Sequence, residues 1–137
     1  MTFQLISRLV AAVCAVLFAI FLFAPQAYSP LYGVETNVSA QFMTRRAAPM
    51  FLAAMIILWA ASSAPRSALR DAVALGVAAM FAGVCITGLI ALMQGIASPM
   101  ILMAAMGEAL IAVLLLSTRK NQAQSAKRLL QSMSFVG

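Results

Sequence analysis

Pro99–Ser117 reads PMILMAAMGEALIAVLLLS, an apolar run with one carboxylate, Glu108, near its middle. About 20 apolar residues are what a helix needs to cross a hydrocarbon core of roughly 30 Å. The stretch therefore predicts a transmembrane helix and, with it, an all-α fold. An acid inside such a run is costly, which makes Glu108 the first candidate for a functional residue.

The composition of the rest agrees. Of 137 residues, 64% are hydrophobic and 9% charged, where soluble domains carry about 25% charged residues. An integral membrane protein follows. The net charge of +6 would suit nucleic acid, but the basic residues gather at the ends of apolar runs, as insertion topology requires, so no nucleic-acid partner is expected. The absence of His removes the commonest metal ligand and the usual general base. Cys14 and Cys85 fall inside apolar runs with no CxxC spacing, which reads as two inert small hydrophobes.

Working backwards from Pro99 yields three further spans. The first covers about residues 3–24, with Arg8 near enough to its start to snorkel. Its rival, a cleaved leader, is spoiled by Pro25 ahead of Ala27, so a retained helix is expected. Next comes PQAYSPLYGVETNV, Pro25–Val38, a loop broken by Pro25, Pro30 and Gly33 and bearing Tyr28 and Tyr32. It reads as a connector among the headgroups, with a short cap over the bundle mouth as the alternative.

The second span is fixed by length. A helix beginning at Ala48 would leave about 14 residues before Ser62, or about 21 Å, too short to cross. It must start near Asn37 or Ser39, covering about residues 39–62. Arg45 and Arg46 then lie within its first turns, Pro49 becomes an internal proline, and Trp59 approaches the opposite interface. The turn SSAPRSALRD, Ser62–Asp71, leads into the third span over about residues 68–93, where Arg70 and Asp71 can pair. That span carries small residues at spacings of three and four, Gly76, Ala79, Gly83 and Thr87 among them, which predicts a helix-packing face. The fourth span, about residues 99–117, opens with Ser98 as cap and Pro99 at the first helical position.

Residues 118–137 form a basic tail in which Ala123, Ala126, Leu129, Leu130 and Met133 oppose Lys127 and Arg128 at helical spacing. The tail is expected to lie on an anionic membrane surface, to continue the fourth helix or to dock onto a partner, with Lys120, Lys127 and Arg128 the candidates for contact with the membrane surface or a partner.

Four spans put both termini on one side. Arg8, Arg66, Arg70, Arg119, Lys120, Lys127 and Arg128 share that side, against Arg45 and Arg46 on the other. The positive-inside bias predicts cytoplasmic termini in a bacterial inner membrane, and short connections predict an up-down-up-down four-helix bundle over residues 1–117.

Glu108 lies about nine residues down its helix and Arg45 and Arg46 about six or seven down theirs, similar depths at 1.5 Å per residue. An ion pair is therefore expected, since a paired buried charge escapes most of its desolvation cost. Met100, Met103 and Met106 invite a copper(I) reading, but a spacing of three drifts around the helix and methionine is a common filler. No metal or cofactor is expected. Nor does any paired-carboxylate, nucleophile-base or phosphate-cradling set appear, so the chain is not expected to be an enzyme.

A first span ending in proline, then LYGV, then FMTRRAAPMFLAAMIILWAA, resembles small bacterial four-helix membrane proteins grouped as a domain of unknown function. The resemblance covers about residues 5–117. It implies the topology and supplies no chemistry. The expected role is an accessory, assembly or stabilising subunit of a larger membrane complex, with lipids and other subunits or further copies as partners. The alternatives are a small transporter or channel component using Glu108 with Arg45 and Arg46, and a bundle binding a lipid, quinone or pigment.

Overall fold

The computed structural model describes the backbone of residues 2–134 and the side chains of residues 2–118. Among the described residues every regular element is helical. These are α1 (Phe3–Phe23), α2 (Pro25–Tyr28), a 3₁₀ turn (Ser29–Tyr32), α3 (Val38–Ser62), α4 (Ala68–Met93) and α5 (Ile101–Ser134). Four stretches are long and apolar enough to cross a membrane: Phe3–Phe23, Val38–Ser62, Ala68–Met93 and Ile101–Thr118. The protein is a multi-pass membrane helix bundle.

Helix ends follow local chemistry. The Asn37 side chain accepts from the Ala40 amide at 2.8 Å and starts α3, and Ser67 Oγ accepts from the Arg70 amide at 3.3 Å and starts α4. Each satisfies one amide that the first helical turn would otherwise leave unpaired. Pro49 lies inside α3, which runs through it. α5 begins at Ile101, two residues after the expected Pro99, because Ser98 and Pro99 accept from Ile101 and Leu102 at 3.0 and 3.1 Å in a tight turn. Its backbone continues past the span to Ser134 as one helix. The side chains of Lys120, Lys127 and Arg128 lie outside the described residues.

α1 packs along α3 and α4 along α5, while the two pairs touch one another more sparingly. The core runs through both, with Cys14 and Leu58 from the first pair and Ala78, Phe81 and Leu115 from the second. At one end Phe3 meets Ala61 and Ala74. There Arg70 lies 3.9 Å from the centroid of the Phe3 ring and donates Nη1–H to the Ala64 carbonyl at 3.2 Å. Among the described residues it makes no ion pair with Asp71. Arg8 sits 5.7 Å from the Trp59 ring at the same end.

The small-residue stripe of α4 faces away from the rest of the chain. Gly76, Ala79, Gly83 and Thr87 are exposed, and a Cβ added at Gly76 or Gly83 would meet nothing within 4 Å. Ala74, Val77, Ala78 and Phe81 form the inward face instead. Two residues are 200° of helix, so Gly83 stands nearly opposite Phe81. The glycine that does permit close approach is Gly88, where a Cβ would come within 3.3 Å of the Ile101 side chain.

Candidate functional site

Where the two helix pairs diverge they leave a cleft of about 530 Å³, within the usual size of small-molecule sites. Every described element contributes to it: Val13, Leu17 and Phe21 from α1, Tyr28 and Tyr32 from the loop, Ala47, Met50 and Phe51 from α3, Met80, Phe81 and Val84 from α4, and Met103, Ala104, Gly107, Glu108 and Ile111 from α5. Its walls are apolar apart from three polar groups, the Glu108 carboxyl and the phenols of Tyr28 and Tyr32. Among the described residues no lysine or arginine lines it.

The polar groups lie near enough to one another for the Glu108 charge to act on the Tyr28 phenol. Glu108 is seven residues into α5, about 10 Å from its start at 1.5 Å per residue, and the tyrosines come from the loop above that end. Val13, Met50, Met103 and Gly107 are lining residues that are also exposed. Because all four lie within the spans, the cleft opens sideways at membrane depth.

An edge-to-face chain of rings builds one wall. Phe51 and Phe21 have centroids 5.1 Å apart, Phe21 and Tyr28 4.5 Å, and Tyr28 and Tyr32 5.1 Å. Such pairs add about 0.5–1.5 kcal/mol each beyond the area they bury. They tie the loop to α1 and α3, so Pro25–Tyr32 caps the cleft and does not simply trail across the headgroups. Burial, then the neighbouring Tyr32 and Glu108, push the Tyr28 phenol well above the usual tyrosine range. It is a neutral hydroxyl under ordinary conditions.

The loop is also fastened across the bundle. The Ser98 amide donates to the Tyr32 carbonyl at 2.7 Å. Gly33, at φ 71°, brings the chain so close that a Cβ there would stand 3.0 Å from Ser98 Cβ.

Of the residues singled out in the sequence, Glu108 is half-buried in the cleft, whereas Arg45 and Arg46 are exposed on α3. The Arg46 guanidinium lies 5.5 Å from the Phe42 ring. Among the described residues no ion pair joins either arginine to Glu108. Similar depth is not the same face: at 100° per residue Arg45 and Arg46 stand about 120° and 140° around α3 from the inward Phe51. Cys14 is buried and Cys85 half-buried, both as free thiols. Met103 faces the cleft, while Met100 and Met106 are exposed and outside it.

Tyr28, Tyr32 and Gly107 belong to the site without having been singled out for it. The signal available for the tyrosines was their place in a loop that proline and glycine bend back over the bundle. No protein-family model, no curated protein and no solved structure matches the chain, so its likeness to small four-helix membrane proteins rests on the pattern of residues alone.

Proposed function

We propose that this protein is a non-catalytic membrane binding protein that holds an amphiphile in the cleft between its two helix pairs. The observation that carries the reading is the shape and chemistry of that cleft: an apolar body open to the membrane, with Glu108, Tyr28 and Tyr32 as the polar groups among its described lining residues. A lipid-like molecule entering sideways would leave its tail among Leu17, Phe81 and Ile111 and its head beside the three polar groups.

The proposed topology is up-down-up-down. It is supported by the Ser98–Tyr32 bond, which joins the first and third connections, and by the Arg8–Trp59 and Arg70–Phe3 contacts, which gather the N-terminal end with the second connection. Arg8, Arg66 and Arg70 then lie on one side, which the positive-inside bias assigns to the cytoplasm of a bacterial inner membrane.

Native mass spectrometry from a mild detergent tests the binding reading. The wild-type protein should retain an amphiphile-sized adduct. Gly107→Leu should lose it, since Gly107 lines the cleft and a Cβ there meets nothing within 4 Å, which leaves the added side chain room to occupy the space. A wild-type protein that carries nothing and takes up no added lipid would sink the reading.

One observation favours a second reading, an accessory or assembly subunit. The stripe Gly76, Ala79, Gly83 and Thr87 is exposed among the described residues, and small-residue stripes let helices approach closely in membranes. Co-purification of a stoichiometric membrane partner, lost in Gly83→Leu, would support it.

A further inference from the structure

We propose that the occupant of the cleft is a hydrophobic organic monocation, its charged centre held between the Glu108 carboxylate and the rings of Tyr28 and Tyr32. The inference rests on the cleft being a binding site and says what that site selects.

Charge complementarity is the first argument. The chain has three acids. Glu35 is exposed in the loop and does not line the cleft, and Asp71 lies in the first turn of α4, in the same turn as Arg70 at the opposite end of the molecule. Among the described residues Glu108 is therefore the only carboxylate facing the cleft. The basic groups nearest to it in sequence depth, Arg45 and Arg46, are exposed on α3, and among the described residues no lysine or arginine lines the walls. A carboxylate in an apolar surround gains most from a partner that brings the opposite charge with it. An anionic headgroup would be repelled by the same group.

The walls supply the second argument. Aromatic rings attract cations to their faces, and tyrosine is among the better of them. Tyr28 and Tyr32 line the same cleft as Glu108, near enough for its charge to act on the Tyr28 phenol, and are held edge to face by the chain of rings that runs back to Phe51. Thioethers are unbranched and polarisable, so Met50, Met80 and Met103 give the apolar body walls that adapt to ligands of different outline. A carboxylate and two phenol rings in the wall of an adaptable apolar cleft suit a bulky cation better than a neutral tail alone.

The full chain, purified in an uncharged maltoside detergent, is titrated calorimetrically with tetraphenylphosphonium and, separately, with tetraphenylborate, an anion of the same shape, against empty micelles. The expected result is saturable binding of the cation with at least about tenfold preference over the anion, equivalent to about 1.4 kcal/mol. Glu108→Gln should remove the preference and Glu108→Asp should keep it, and the wild-type comparison of the two ions stands by itself if either variant fails to fold. Equal binding of both ions, or a cation affinity unchanged in a folded Glu108→Gln protein, overturns the inference while leaving the cleft a binding site. Retention of a neutral or anionic amphiphile with no binding of the cation overturns it in the same way. A protein that binds neither ion and retains no amphiphile removes the underlying reading as well.

Discussion

The Ser98 amide donates to the Tyr32 carbonyl at 2.7 Å, and this bond links the loop that carries the two tyrosines to the turn that launches α5. Glu108 and Tyr28 face the same cleft because their two segments are joined at that point. Gly33 makes the junction possible, both by its positive φ of 71° and by its lack of a side chain 3.0 Å from Ser98 Cβ. Gly33→Ala should therefore cost more than the roughly 1–2 kcal/mol of a left-handed alanine, since a clash is added to the strain. Gly95 is the control. It has φ 70° with nothing within 4 Å, so Gly95→Ala should show the strain alone. Unfolding in mixed micelles measures both, and equal losses would show that the contact with Ser98 contributes nothing.

Phe81 is 2% exposed and belongs to the core shared by both pairs while also lining the cleft. Phe81→Ala should lower stability by about 3–5 kcal/mol, the usual cost of emptying a buried aromatic position. Phe81→Leu should recover most of it. The same micelle unfolding reads the effect, and a loss under about 1 kcal/mol would mean that the core collapses around the hole.

Alkaline titration isolates Tyr28. Its phenol is held above the ordinary value of 10.0 in the folded protein, by burial first and by Tyr32 and Glu108 after that. The folded state resists losing that proton, so its contribution is fully present below pH 10 and is lost as pH rises through the folded value. Stability should be flat on this account up to about pH 10 and fall beyond it. In Tyr28→Phe the fall should be shallower, measured as Tm against pH.

Trp59 is the only tryptophan in the chain, lies one turn from the end of α3 and is exposed beside Arg8. Its fluorescence in vesicles should be quenched more by lipids brominated near the headgroup than by lipids brominated near the chain end. Stronger quenching from the chain ends would place Trp59 at the bilayer centre and remove the proposed topology.

The four spans were legible because each is a long apolar run bounded by chemistry that stops or starts a helix. Of Asn37 and Ser39, Asn37 is the cap of α3, and Ser67 caps α4, while length arithmetic placed the start of α3 within a residue of where it lies. What the sequence concealed was the rotation of each helix. In water, polarity marks the outer face, but lipid is as apolar as a core, so the inward side of α4 could not be told from its outward side by composition. The small residues of α4 suggested packing, yet Ala74, Val77, Ala78 and Phe81 face inward. Arg45 and Arg46 failed to meet Glu108 for the same reason. The cleft was hidden in a further sense, since it is a gap between elements and no single stretch encodes it.

The division into an α1–α3 pair and an α4–α5 pair bears on how the molecule comes into being. Each pair is closed by near neighbours in the chain, whereas the cleft draws on residues from Val13 to Ile111. As synthesis proceeds, the first pair can be complete in the bilayer before the second has left the ribosome, and the ligand-sized space arises only at the final docking. A chain cut in the turn between Ser62 and Ser67 should still yield two inserted halves that find each other, with the pocket as the product of their reunion.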